Sequence, residues 1–188
     1  MKVLVIPDVH LKPWMFDRAA ELLKDGAADR AVCLMDIPDD WRQKFNLDLY
    51  VQTFDAAIQF AKDFPETLWC YGNHDTCYPW NQRETGYSKI APWTVCEKLR
   101  KLQEALSDEK QLTFLHRIDN VLFCHGGLTD KFVRQYVPAK YYNNVDAVIG
   151  TINGFGAGEL WQDASPLWYR PQEFLVLDTD NWDYKGIR

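Results

Sequence analysis

The chain has 188 residues, 47% hydrophobic and 26% charged, which is ordinary usage for a globular protein with a packed core. Its net charge is −6, from 27 acidic against 21 basic residues, and the Lys and Arg residues are scattered. A nucleic-acid backbone calls for a dense basic surface, so a strong nucleic-acid binder is excluded. A phosphate-bearing substrate is not excluded, provided bound cations bring positive charge. Apolar runs are far too short for a membrane span, and the N-terminus lacks a signal-peptide pattern. Five cysteines (Cys33, Cys70, Cys77, Cys96 and Cys124) make an odd count without a Cys-x-x-Cys pair. Reduced thiols, and hence the cytoplasm, are expected.

Residues 2–6 are predicted as a buried strand ended by Pro7-Asp8, and the apolar spacing of 14–24 predicts a helix stopped near Gly26. A second strand is expected at 31–35, an amphipathic helix at 47–62 and a third strand at 67–71. This alternation implies parallel strands with right-handed crossovers. After a loop-rich stretch at 76–91, a helix is predicted at 92–106. Residues 112–117 and 120–124 then read as a hairpin turning at Asp119-Asn120. A short helix near 130–136 and a Gly-rich stretch at 150–158 precede an aromatic tail from Trp161. No repeat or linker interrupts the chain, so one α/β domain over 1–188 is expected.

The chemistry gathers where the strands end. Strand one runs into Asp8-Val9-His10, strand two into Asp36-Ile37-Pro38-Asp39-Asp40, strand three into Gly72-Asn73-His74-Asp75, and a late strand into His125-Gly126-Gly127. Ligands of open α/β sheets bind outside the carboxyl ends of strands, so these clusters belong to one rim. Taken singly, each has a plain structural reading as a turn, a helix cap or a surface loop. Taken together, three of the chain's four histidines fall at strand ends. Asp, Asn and His suit Mn, Fe, Zn or Mg rather than a thiolate site. A carboxylate such as Asp36 can bridge two cations, which lower the pKa of a shared water and clamp a phosphate, while an imidazole protonates the departing oxygen.

The ordered set Asp8-Val9-His10, Asp36, Gly72-Asn73-His74-Asp75 and His125-Gly126-Gly127 resembles the calcineurin-like metallophosphoesterase superfamily. Ser165-Pro166-Leu167-Trp168-Tyr169-Arg170 more loosely resembles a stretch of its bacterial phosphoprotein-phosphatase-like branch. The resemblance implies a four-layer sandwich, two central mixed β-sheets flanked by helices, and hydrolysis of phosphate esters by a hydroxide bridging two divalent metals, manganese foremost. It further implies that Asp8 and His10 hold the first metal, that Asp36 bridges, and that Asn73 and His125 hold the second. His74 is then the general acid, oriented by an acidic residue, of which Asp75 is nearest in sequence. Asn73 and Arg170 are the implied substrate contacts. The substrate class stays open among small molecules, nucleotides and phosphoproteins.

Three departures stand out. Met35 replaces the glycine that usually precedes the bridging aspartate, a change tolerable where that backbone angle is ordinary. Asp40 and Tyr71 stand where protein-phosphatase members carry phosphate-clamping arginines; Arg42 and Arg170 are the candidates to compensate, with a surface salt bridge the expected role of Arg42. The family's closing Gly-His-x-His segment is expected about where the sequence stops at Lys185-Gly186-Ile187-Arg188, so the domain reads as C-terminally incomplete. His116 reads as hairpin packing. An alternative function is therefore a catalytically impaired relative that binds metal or phosphate without turnover. Trp80, Tyr78 and Trp168 are candidates for stacking on a nucleobase, against a plain packing role.

Overall fold

A computed structural model describes residues 1–170. They form two compact units, Met1–Thr113 and a second that begins at Phe114. The first unit is built on four parallel strands in the order β1 (Val3–Ile6), β2 (Arg30–Cys33), β3 (Leu68–Cys70) and β4 (Leu112–Thr113). Its register pairs Ile6 with Cys33 and Cys33 with Trp69. Helices α1 (Trp14–Lys24), α2 (Leu47–Asp63) and α4 (Pro92–Ala105) connect the strands, with the one-turn helix α3 (Asn73–Cys77) following β3.

The connecting helices lie where the apolar spacing placed them. In α2 the Asn46 side chain accepts from the Leu49 amide (3.3 Å), and Pro92 occupies the first turn of α4, where a missing N–H costs nothing. Phe16 of α1, Phe60 of α2 and Trp69 of β3 meet with ring centroids 5.7–6.3 Å apart and form the aromatic centre of the core.

The expected strand at 112–117 is divided. Leu112–Thr113 extends the parallel sheet beside β3, whereas β5 (Leu115–Ile118) pairs antiparallel with β6 (Val121–Cys124) in the second unit. The turn between them falls at Asp119, whose φ is +54°. His116 lies in β5 opposite Phe123 and is buried. The chain is thus α/β with one parallel sheet and one antiparallel sheet, each accompanied by helices. The second unit continues with α5 (Asp130–Tyr136), at the expected place, then α6 (Val145–Asn153) and α7 (Ala157–Leu160), which cover ground read as loose and Gly-rich. Thr129 caps α5 through the Phe132 amide (3.0 Å), and Asn144 caps α6 through the Ala147 amide (3.1 Å).

Parallel strands send all their carboxyl ends to one edge, so β1, β2 and β3 discharge their loops together. Beyond β1 and β2 the two loops run side by side: the amides of Val9, His10 and Leu11 donate to the carbonyls of Met35, Asp36 and Ile37 at 2.7–3.0 Å. This ladder is bought with strain. His10, Leu11, Met35, Asp36 and Asp39 all have φ between +42° and +68°, a region costing a non-glycine residue about 1–2 kcal/mol. The backbone angle at Met35 is therefore not ordinary, contrary to the condition under which its replacement of glycine was tolerable. Its fully buried side chain offsets part of that cost.

Two features hold these loops. The buried Asp75 carboxylate accepts from the amides of Asp36 (2.8 Å), Ile37 (3.0 Å) and Gly72 (2.9 Å), which pins the exits of β2 and β3 together. In the second unit, the Gly126 amide donates to Pro166 O (2.6 Å) and the Gly127 amide to Tyr169 O (2.8 Å). The Gly-Gly pair is the seat of the 165–170 loop rather than a flexible hinge.

Two stability changes are expected. Asp75→Asn turns an amide nitrogen toward one of three donors and costs about 2–4 kcal/mol, read as a drop of roughly 5–15 °C in thermal unfolding by circular dichroism. Gly126→Ala sets a Cβ 2.7 Å from the Pro166 carbonyl, whereas at Gly127 the nearest atom, at 2.7 Å, is the Tyr169 ring, which can rotate away. Proteolysis near 165–170 should accelerate more for Gly126→Ala than for Gly127→Ala.

Candidate functional site

The rim of the parallel sheet brings Asp8, His10 and Asp36 together: one ligand atom from each lies within 4.8 Å of the others. Asp8 follows β1 and is exposed, His10 is half-buried, and Asp36 after β2 is buried. The imidazole of His10 is oriented for ligation. Its Nδ1–H donates to the Asp39 carbonyl (2.8 Å), which leaves the Nε2 lone pair 3.8 Å from Asp36 Oδ2. Two carboxylates and an imidazole with its second nitrogen already engaged fit a divalent cation of the Mn, Fe, Zn or Mg kind.

Asp36 has its other oxygen fixed from below. Oδ1 accepts from the His74 amide (2.8 Å), and a Cβ on Gly72 would sit 2.0 Å from the same atom. Gly72 has an ordinary φ of −97°. Glycine is required there by the close approach of the carboxylate, not by backbone angle. Asn73 and His74 open α3, both buried at 4% exposure beside this carboxylate.

The carboxylate bonded to His74 is that of Asp39, not Asp75. His74 Nδ1 donates to Asp39 Oδ2 (2.9 Å), while Tyr50 and Tyr78 both donate their hydroxyls to Asp39 Oδ1 (2.7 and 2.5 Å). The difference from expectation has a simple cause. Successive residues of a helix point about 100° apart, so Asp75 turns away from His74 toward the backbone, and a residue from the facing loop takes the imidazole. Asp39 is fully buried with φ +68°. Its sequence signal was no more than an acidic turn three residues past Asp36. Neither Tyr50 nor Tyr78 was recognisable as its partner.

Electrostatics follow from this hub. Burial pulls the His74 pKa down, but the Asp39 hydrogen bond and the charges of Asp36, Asp39 and Asp75 outweigh it and leave the pKa raised. Burial, then the Asp39 charge, pushes the hydroxyls of Tyr50 and Tyr78 above the usual phenol range, so both remain donors.

The remaining motif residues lie in the second unit. His125 is buried, and its Nε2 accepts from Arg170 Nη2 (2.9 Å). A guanidinium only donates, so this lone pair serves either Arg170 or a cation, never both. Arg170 also donates to the Leu167 carbonyl (3.3 Å). Arg42 makes no side-chain ion pair among the described residues; its amide donates to Asp40 Oδ1 (2.8 Å). Tyr78 is packed, stacked on Tyr87 with centroids 4.5 Å apart, and Trp168 lies edge-on to Trp161 at 5.0 Å. Trp41, which no sequence motif marks, meets His10 and His74 with ring centroids 5.3 and 5.6 Å away. Residues 171–188, including the expected C-terminal boundary, lie outside the described residues.

No helix among the described residues is long and apolar enough to cross a membrane. No curated protein and no solved structure matches the chain. A family model does: that of the calcineurin-like phosphoesterases aligns with residues 1–182. With that match over nearly the whole sequence, and Asp8, His10 and Asp36 gathered at the strand ends, the chain belongs to the calcineurin-like phosphoesterase family.

Proposed function

We propose that this protein hydrolyses phosphate esters with a binuclear divalent-metal site, manganese being the first choice, and that it works in the cytoplasm. The observation that carries the reading is the convergence of Asp8, His10 and Asp36 next to a buried His74 held by Asp39. Bound cations supply phosphate polarisation and a water of lowered pKa. Asp8 and His10 would hold one ion and Asn73 the other, with Asp36 shared between them. The ligand role of His125 and the substrate contact of Arg170 rest on the motifs they carry; His125 can ligate through Nε2 only by releasing Arg170. Asn73 also faces the phosphate in this reading.

His74 is the proton donor to the leaving oxygen. Its Nδ1–H is committed to Asp39, so Nε2 is the nitrogen that delivers the proton. Asp39 takes the orienting role first expected of Asp75, and Tyr50 and Tyr78 hold Asp39 in place. Asp75 acts on the backbone that shapes the site. All five cysteines are free thiols, which supports a reducing compartment.

A second reading, a relative that binds cations without turnover, draws support from Tyr71. It stands at a phosphate-clamp position, yet a phenol brings no positive charge to a phosphate; burial and the Asp75 charge push its hydroxyl up to about 12 and keep it neutral.

Calorimetry with Mn²⁺ should give binding heat for the wild type and for His74→Ala, and little for Asp36→Asn. Gly72→Ala, whose Cβ displaces Asp36 Oδ1, should weaken the ion while keeping the fold. On an aryl phosphate His74→Ala should lose about 10²–10⁴ in kcat. Equal rates for wild type, Asp36→Asn and His74→Ala would refute hydrolysis at this site. Heat without turnover over several ester classes would establish the second reading instead.

A further inference from the structure

Trp41 lies on the loop after β2, five residues beyond Asp36, and is 52% exposed. Exposure of a single aromatic side chain says little by itself; its position says more. The indole is tilted 56° to the His10 ring and 72° to the His74 ring, at centroid distances of 5.3 and 5.6 Å. Behind it is bare backbone. At Gly86, whose φ of +82° favours glycine, a Cβ would fall 3.2–3.4 Å from three indole atoms, so the ring packs closely on this backbone.

The supporting loops are fastened to the same hub as the imidazole. Ser88 Oγ donates to the Lys44 carbonyl, and the Ser88 amide donates to the Tyr78 hydroxyl (3.0 Å), which in turn donates to Asp39. The indole therefore has a prepared seat, two imidazole neighbours and a remaining surface in water. Its large flat area is presented at little entropic cost, since few torsions need be frozen.

We propose that Trp41 is the leaving-group platform of the site, selecting phosphate esters whose alcohol carries a flat aromatic ring within a bond or two of the ester oxygen. This rests on the proposed function, in which His74 protonates the leaving oxygen. The leaving group must then lie beside His74, and the surface next to His74 is the indole. An aromatic ring on that surface gains stacking contact that an alkyl chain of similar size does not. Tyr78 does not compete for the role, because it is buried with its hydroxyl committed to Asp39.

The test compares 1-naphthylmethyl phosphate with its saturated counterpart decahydro-1-naphthylmethyl phosphate, both esters of poorly acidic alcohols and of similar size, on the Mn²⁺-loaded wild type, Trp41→Phe and Trp41→Ala. Calorimetry with the two corresponding phosphonates gives a readout independent of turnover, and Mn²⁺ binding heat certifies that each variant is folded at the site. The wild type should favour the naphthylmethyl ester by about tenfold or more in kcat/KM, mainly through KM, with the phosphonates ranked alike. Trp41→Ala should erase most of that preference, and Trp41→Phe should keep much of it. A wild type indifferent between the esters and the phosphonates, or a preference that survives in Trp41→Ala, overturns the platform while leaving hydrolysis intact. Phosphonate selectivity lost in Trp41→Ala with no turnover of either ester upholds the platform and overturns hydrolysis. Absence of Mn²⁺ heat in the wild type overturns both.

Discussion

The site depends on one buried carboxylate. Asp75 accepts three backbone amides, two from the loop after β2 and one from the loop after β3. A carboxylate with no exposure is expensive to bury unless its lone pairs are occupied. Here the donors are amides that the loops cannot satisfy through the sheet, so one group solves two problems. Without this tie, Asp36 and His74 would sit on independent turns, and Asp36 Oδ1 could not take the His74 amide as its partner.

A second carboxylate performs the complementary task for side chains. Asp39 gathers His74, Tyr50 and Tyr78 around two oxygens. Charge-assisted bonds of this kind are stronger than neutral ones and fix direction as well as distance. Asp75 therefore sets where the backbone goes, and Asp39 sets how the imidazole points. Both lie within the first unit and within four residues of a motif residue, yet they act through different atoms on different targets.

Strain runs through the same loops. Five non-glycine residues with positive φ line the exits of β1 and β2. Such conformations persist when the surroundings over-determine them, and they concentrate where a side chain must be aimed. The parallel ladder from 9–11 to 35–37 and the Asp75 clamp supply that over-determination. Met35 shows the principle most sharply, because a long side chain holds a left-handed backbone by being completely buried.

What the sequence alone determined is the α/β alternation, the three long helices of the first unit, and the fact that Asp8, His10, Asp36, Asn73 and His74 follow strands. Those features depend on periodicity and on strand polarity, which are local properties of the chain. The division of 112–117 between two sheets was not legible, since an apolar run does not say which strand will pair with which residue. Nor were the partner of His74, the close approach at Gly72, the docking of 165–170 on Gly126-Gly127, or Trp41 against the imidazoles. Each of these is a contact between residues distant in sequence. Residue type permits such contacts, but only the tertiary arrangement of loops chooses among them.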